Sequence, residues 1–104
     1  MDFTYLKTIS DGDLAFVEEF ISTFERNANK IIADIISARA EKNLDRQSKL
    51  AHQFKPTLEM LGLKCLDTAL KIQHEPESVK DSELEQMREE CTDAVDKLKE
   101  EFNL

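Results

Sequence analysis

The sequence has few of the residues that interrupt helices or build turns, since its 104 residues include only two glycines and two prolines. A protein with many short strands would need more of both at its turns. No stretch of four or more residues alternates between apolar and polar in the way that a strand does. Residues that favour helices, such as Glu, Lys, Leu, Ile and Ala, are abundant. These features predict an all-α fold.

Cysteine is equally scarce, because Cys65 and Cys91 are the only two and they form no C-x-x-C pair. This spacing indicates neither the disulfides of an oxidising compartment nor a zinc site. Both cysteines lie among the apolar positions of predicted helices. We therefore expect two buried free thiols.

Long apolar runs are also missing, and no segment reaches the roughly 20 apolar residues that a membrane span needs. The residues after Met1 lack the basic start and apolar stretch of a signal peptide. We expect a soluble cytoplasmic protein with no membrane partner. Met1 and the complete set of helices favour a free-standing protein over a piece cut from a longer one.

Basic residues are outnumbered, with 14 lysines and arginines against 22 aspartates and glutamates and a formal net charge of −8. A nucleic-acid-binding surface needs lysine and arginine to meet the phosphates, so this balance argues against a nucleic-acid partner. The acidic excess is larger after residue 52 than before it. The first half is therefore the less repulsive side for an acidic or phosphorylated partner, although salt weakens this bias.

Apolar residues recur at steps of three and four along most of the chain, which is the spacing of amphipathic helices. We predict one domain over residues 1–104, folded as an antiparallel up-down four-helix bundle with a short extra N-terminal helix. The predicted helices run from Phe3 to about Thr8, Leu14 to about Ala40, Leu44 to Leu61, Leu63 to about Gln73, and Ser82 to about Phe102.

Several of these segments are preceded by residues that cap helices. Asp2 and Asn43 are candidate N-caps, Asp13 lies in the turn before the second helix, and Ser82 to Glu85 has the sequence of a capping box. Gly62 either ends the third helix or marks a close approach to a neighbouring helix. The acidic residues of the last helix are predicted to form its solvated face: Glu83, Glu85, Glu89 and Glu90.

The stretch from Ala51 to Gly62 carries the one histidine with an informative setting. Wound at about 100° per residue, the third helix has a polar stripe centred on His52 and an apolar stripe behind it. The polar stripe contains Asp45, Ser48, Lys49, His52, Lys55, Pro56 and Glu59, and the apolar stripe contains Leu50, Phe54, Leu58 and Leu61. This pattern predicts an imidazole held out to solvent on a rigid helix.

A neutral exposed imidazole is a good nucleophile toward phosphorus, and its charge state changes near neutral pH. Lys49 and Lys55 lie three residues before and after His52, where they could neutralise a phosphoryl group on the ring. The same spacing is also found on ordinary solvated helix surfaces. His74, in an acidic loop, has no companion at the spacing of metal ligands.

The stretch resembles the signature of histidine-containing phosphotransfer (HPt) domains of two-component phosphorelays, which runs roughly A-H-x-L-K-G-x-x-x-x-L-G. The matching residues here are Ala51, His52, Lys55, Leu61 and Gly62, with Phe54 at the leucine position. Pro56 departs from the pattern, because the family usually has glycine there. Proline lacks the N–H that would bond the carbonyl of His52, so we expect a local kink that Pro56→Gly would straighten.

The resemblance implies that His52 is the phosphoacceptor, through Nε2, and that Lys55 steadies the phosphoryl group. Ser48, Lys49, Pro56 and Glu59 would contact the partner. The implied partners are receiver domains of response regulators or hybrid sensor kinases, which supply the Mg²⁺ and the acid chemistry, so no cofactor or metal is expected here. The chain has no ATP-binding element, so autokinase activity is not expected, and one docking face suits a monomer.

Two other functions stay open on the sequence. The same fold could dock a signalling partner without phosphotransfer, in which case His52 would be dispensable. A hydrolytic enzyme with His52 as its base would need an orienting carboxylate and a pocket. The sequence has no Gly-rich nucleotide loop and no Ser/His/Asp set.

Overall fold

The computed structural model describes residues 1–104 as an all-helical protein with no strand. It contains five α-helices and one short 3₁₀ helix. Their bounds are α1 Thr4–Ser10, α2 Leu14–Ala40, α3 Leu44–Met60, α4 Leu66–His74, the 3₁₀ helix Pro76–Ser78, and α5 Asp81–Glu101. The all-α prediction is confirmed, and each predicted helix is present with its ends shifted by a few residues at most.

Two of the predicted capping side chains hold helix starts. The carboxylate of Asp13 accepts from the N–H of Phe16 at 3.1 Å, and the amide oxygen of Asn43 accepts from the N–H of Arg46 at 3.0 Å. The prediction of Asp2 as the N-cap of α1 was wrong, because Phe3 takes that position without a side-chain cap, although Asp2, one residue earlier, accepts from the N–H of Thr4 at 3.0 Å. Each satisfies one of the N–H groups that a first helical turn leaves without a partner, so these starts are set locally.

The start of α5 differs from the prediction, because the capping box at Ser82 does not form. The helix begins one residue earlier, at Asp81, and has no side-chain cap. Instead, Arg39 of α2 donates from Nη2 to the carbonyl of Val79 at 2.9 Å and to Asp81 at 3.0 Å. A side chain from a distant helix therefore holds the chain here, and the local cap is not used.

Helix α2 is the longest element, with 27 residues, and it packs against both α3 and α5. Its inward residues are Val17, Ile21, Phe24, Ala28, Ile32, Ile35 and Ala38. These residues follow the predicted steps of three and four, so one stripe of α2 forms the centre of the core. None of the helices is both long enough and apolar enough to cross a membrane.

Helix α3 packs against α2 and, most extensively, against α4. Ala51, Phe54 and Leu58 are almost fully buried, and Phe54 keeps only 2 % of its surface exposed. Burying a side chain of this size contributes about 1.5–3 kcal/mol. The apolar stripe predicted behind His52 is therefore the face by which α3 is anchored.

The end of α3 lies against the N-terminal segment. Gly62 has φ +61°, and a Cβ atom added there would lie 3.1 Å from both Cβ and N of Asp2. The N–H of Asp2 donates to the carbonyl of Leu61 at 2.9 Å. Gly62 therefore ends the helix and also permits a close approach, although the neighbour is the chain before α1. Lys7 of α1 also pairs with Glu101 of α5.

Two of the four carboxylates assigned to a solvated face on α5 are used inside the fold, so that prediction was wrong for Glu83 and Glu90. Glu83 pairs with Lys71 of α4 at 3.0 Å, and this hydrogen bond lowers the pKa of Glu83. Glu90 accepts from the N–H groups of Lys64 at 2.9 Å and Cys65 at 2.7 Å. Glu85 and Glu89 are exposed, as predicted.

Cys65 and Cys91 are buried free thiols, which confirms the prediction. Cys65 precedes α4 and does not lie within it. A hydrogen bond to Cys91, together with burial, raises the pKa of the Cys65 thiol well above its usual range. Such a thiol is a poor nucleophile, because the thiolate is the reactive form.

Candidate functional site

His52 lies in the third turn of α3, with its side chain exposed to solvent. The residues beside it, Ala51 and Phe54, are buried in the core. The backbone that carries the imidazole is therefore fixed by packing on the opposite side of the helix. A partner that approaches α3 would meet the ring on a rigid element.

One nitrogen of the His52 ring is held by a residue that the sequence analysis did not single out. The side-chain Nε2 of Gln73, near the end of α4, lies 3.1 Å from His52 Nδ1. An amide nitrogen can only donate, so Nδ1 accepts and the ring proton lies on Nε2 in this arrangement. His52 Nε2 has no hydrogen-bond partner in the protein, and the side chain that carries it is exposed. The two ring nitrogens therefore have different surroundings.

Ser48, an expected partner contact, has its hydroxyl engaged within the domain. It lies one turn before His52 on α3 and is half-buried. Its Oγ donates to the backbone carbonyl of Gln73 at 2.7 Å. This carbonyl belongs to the last turn of α4, whose carbonyls have no N–H partner within the helix. Ser48 therefore ties α3 to α4 beside the imidazole.

The two lysines that flank His52 differ in their ionic contacts. Lys49 pairs with Asp45 one turn earlier, with Nζ 3.0 Å from Oδ2, and both side chains are exposed. Lys55 forms no salt bridge and is half-buried. An exposed i,i+4 ion pair is weak, so Asp45 holds the Lys49 ammonium only weakly. Lys55 nevertheless has the freer ammonium for a negative group on the ring.

Pro56 and Glu59 are both exposed on the same side of α3 as His52. The helix continues through Pro56 to Met60, so the proline does not end it. Because proline has no N–H, the carbonyl of His52 receives no helical hydrogen bond from residue 56. That carbonyl lies on the exposed side, where water can bond it.

The surroundings of His52 do not form an enclosed cavity. Two wide surface grooves, of about 840 and 630 Å³, lie elsewhere, and His52 lines neither of them. The partner of the ring is an amide and not the orienting carboxylate that the hydrolase alternative was expected to need. His74 is exposed at the end of α4 and forms no hydrogen bond through its ring. These features weigh against the hydrolase alternative.

The residues brought together around His52 are Ser48, Lys55 and Gln73, contributed by α3 and α4. Gln73 lies 21 positions after His52, and no sequence pattern relates residues at that spacing. Only the packing of α4 on α3 reveals the contact between them. No protein-family model, curated protein or solved structure matches this chain. The resemblance around His52 is therefore carried by the residues of this chain alone.

Proposed function

We propose that the protein is a phosphorelay intermediate of the HPt kind, which accepts a phosphoryl group on His52 from a receiver-domain aspartate and passes it to another receiver aspartate. The observation that carries the proposal is an exposed imidazole whose Nδ1 is held by Gln73 and whose Nε2 has no hydrogen-bond partner in the protein. A rigid helix that holds a fixed nucleophile suits phosphoryl transfer, in which catalysis is mostly positioning.

The finer architecture belongs to the same proposal. We infer that α2, α3, α4 and α5 form an antiparallel up-down bundle, with α1 as an extra N-terminal helix. The contacts of α2 with α3 and α5, and of α3 with α4, support this arrangement. Only three residues connect α2 to α3, and so short a turn joins antiparallel neighbours.

In the proposed reaction, the ring first exchanges its proton through water from Nε2 to Nδ1, and the Nε2 lone pair then attacks the phosphorus of an aspartyl phosphate. The P–N bond forms while the P–O bond to the aspartate breaks, and the free carboxylate leaves with the electron pair. The ring keeps its proton on Nδ1, and the second transfer reverses these steps on another aspartate. Mg²⁺ and acid catalysis come from the receiver, so this chain contributes the nucleophile and its surroundings.

Lys55 has the supporting role in this reaction. Its ammonium lies on the helical turn after His52 and is free of carboxylate partners. A flexible, partly exposed lysine contributes about 0.2–1 kcal/mol to an ionic contact. Lys55 therefore adjusts the rate of transfer, while His52 is indispensable.

The partners in this proposal are receiver domains of response regulators or hybrid sensor kinases, met in the cytoplasm by a monomer. The direct test is incubation with phosphorylated receivers, followed by measurement of acid-labile, base-stable label on this chain. We expect label on the wild type and none on His52→Gln. His74→Gln is the matched control, since it removes the other histidine and should leave the label unchanged. No label from several phosphorylated receivers would refute the relay.

One observation favours a second function, a docking module without phosphotransfer. With the Gln73 amide nitrogen toward Nδ1, the ring proton lies on Nε2, which leaves no lone pair there for attack. A pure docking module does not need that lone pair. In that case His52→Gln would bind the partner as tightly as the wild type, and phosphorylated receivers would leave no label.

A further inference from the structure

Three side chains where α3 packs on α4 form one hydrogen-bonded chain. Ser48 Oγ donates to the Gln73 carbonyl at 2.7 Å, and Gln73 Nε2 lies 3.1 Å from His52 Nδ1. Ser48 and His52 lie one turn apart on α3. Ser48 contacts the backbone of Gln73, and His52 contacts its side chain. Ser48 therefore bonds the backbone of the same residue whose side-chain amide reaches His52 Nδ1.

Among the polar atoms of Ser48, His52 and Gln73, the Gln73 amide oxygen is unusual, because it is buried and has no hydrogen-bond partner. Such an atom costs free energy in the arrangement observed, and an arrangement that gave it a donor would recover part of that cost. A half-turn of the amide would bring Oε1 to Nδ1 in place of the nitrogen. The oxygen would then accept from an Nδ1–H, which is the tautomer that leaves a lone pair on Nε2.

A phosphorylated ring needs that second arrangement. When phosphorus is bonded to Nε2, the proton of the imidazolium lies on Nδ1 and requires an acceptor. The Gln73 oxygen, now unpartnered, is the one amide acceptor adjacent to Nδ1. Both orientations of the amide keep Nδ1 occupied by Gln73, and in both the nitrogen that faces solvent is Nε2.

From this geometry we propose that Ser48 is a positioning residue: by holding Gln73 against Nδ1, it confines phosphorylation of His52 to Nε2. The inference rests on the proposed function, because it assumes that His52 accepts phosphoryl groups. It differs from the expectation that Ser48 contacts the partner, since the hydroxyl acts through Gln73 inside the domain.

The test uses phosphoramidate, a small phosphoryl donor that needs no receiver. The lone pair of a ring nitrogen attacks phosphorus, the P–N bond of the donor breaks, and ammonia leaves with the electron pair. The other ring nitrogen keeps its proton. Because this donor is too small to be steered by docking, a change in the isomer ratio between variants reports a change in the surroundings of the two ring nitrogens within this protein.

Phosphorus NMR distinguishes the two phosphohistidine isomers. For the full-length wild type we expect the Nε2 isomer at His52, measured in the His74→Gln background so that a single histidine is present. In Ser48→Ala, loss of one hydrogen bond should raise the fraction of the Nδ1 isomer about fivefold or more. Ser48→Thr keeps a hydroxyl and should restore the wild-type ratio, whereas Ser37→Ala, a serine-to-alanine change on the exposed side of α2, should not alter it.

A second variant and a second readout keep the idea testable if Ser48→Ala folds poorly. Gln73→Leu removes the amide and should raise the fraction of the Nδ1 isomer to the same extent. Combining Ser48→Ala with Gln73→Leu should give no larger fraction than Gln73→Leu alone. Nitrogen-15 shifts of the unphosphorylated ring report its tautomer, and we expect them to move in both single variants.

An unchanged isomer ratio together with unchanged ring shifts in a folded Ser48→Ala protein would overturn the role of Ser48 and leave the relay standing. Conversely, wild-type protein that phosphorylated receivers fail to label would refute the relay, while the ring shifts would still decide whether Ser48 positions Gln73. The two failures are therefore distinguishable.

Discussion

Glu90 Oε1 accepts a hydrogen bond from the backbone N–H of Cys65 at 2.7 Å, which joins α5 to the chain just before α4. Its other oxygen accepts from the N–H of Lys64 at 2.9 Å. One carboxylate thus serves two N–H groups at the start of α4, in place of a local N-cap side chain, which α4 lacks. The helix that carries Gln73 is held just before its first turn by a residue on α5.

This contact makes the stability of the fold depend on Glu90. Burial alone would raise the pKa of Glu90, but the hydrogen bonds to Cys65 and Lys64 outweigh it and leave the pKa lowered. We expect Glu90→Gln to lower the free energy of unfolding at pH 7 by about 1–2 kcal/mol, as loss of a helix cap does. Urea unfolding followed by circular dichroism measures this change.

The same substitution predicts a pH dependence with a definite sign. A carboxylate whose pKa is lower in the folded state stabilises the fold above its unfolded pKa, and the effect is lost as pH falls through the folded pKa. The difference between Glu90→Gln and wild type should therefore be full at pH 7 and shrink below about pH 4.3, the ordinary glutamate value. Glu89→Gln, an exposed neighbour, is the control, and an equal loss there would contradict the assignment.

Pro56 is predicted to reduce stability. It lies inside α3, exposed, and removes a helical hydrogen bond to the carbonyl of His52. Proline is about 3 kcal/mol less favourable than alanine inside a helix, so we expect Pro56→Ala to raise the free energy of unfolding by about 1–3 kcal/mol. Urea unfolding measures the gain, and an unchanged midpoint would show that α3 already accommodates the ring without strain.

The kink expected at Pro56 has its own test. If the proline bends the active turn, Pro56→Gly should shift the backbone amide signals of residues 52–56 beyond the change at the site itself. An unchanged backbone in the variant would remove the idea of a kink. In either case His52 should still accept label from phosphoramidate, because its ring contact to Gln73 does not involve residue 56.

Lys55 and Lys49 should differ in their effect on phosphorylation. Lys55 has no carboxylate partner, whereas Lys49 is paired with Asp45 at 3.0 Å. We expect Lys55→Ala to slow transfer from a phosphorylated receiver to His52 about two- to fivefold, which matches the weight of an exposed ionic contact. Lys49→Ala is the matched variant, of the same charge change, and should have a smaller effect. A larger loss for Lys49→Ala would reverse the assignment.

Arg39 is predicted to be the main anchor for the segment before α5. Its guanidinium donates to the carbonyl of Val79 at 2.9 Å and to the carboxylate of Asp81 at 3.0 Å. Loss of hydrogen bonds from a charged group costs about 1.5–3 kcal/mol, so Arg39→Ala should lower the unfolding free energy by that amount. Thermal and urea unfolding measure it. Arg26→Ala, an exposed arginine of the same helix, should be nearly neutral.

The parts of the fold that follow from local patterns could be predicted from the sequence. The bounds of α2 match the prediction at both ends, because the apolar steps of three and four run from Leu14 to Ala40 and Asp13 caps the start. The start of α3 at Leu44 is set in the same way by Asn43. Each of these features depends on residues within one or two helical turns, so neighbours in sequence suffice to reveal it.

The prediction failed where a distant side chain replaces a local signal. The capping box at Ser82 is a valid local pattern, but Arg39, some 40 residues earlier, holds the chain before α5. Glu90 looks like one of several surface carboxylates in the sequence, and only its contact with Cys65 shows that it caps α4. A local pattern states what a segment can do, while packing decides which alternative is used.

The sequence by itself determined that this chain is helical and that α3 carries His52 on its polar side, opposite a buried stripe that includes Phe54. These properties follow from helix propensity and periodicity, which act within a few residues. Only the tertiary structure decided that Gln73 holds Nδ1, that Ser48 bonds the Gln73 carbonyl, and that Nε2 is the ring nitrogen left without a partner. Such contacts depend on how α4 is placed against α3, and this register arises from the packing of the whole core.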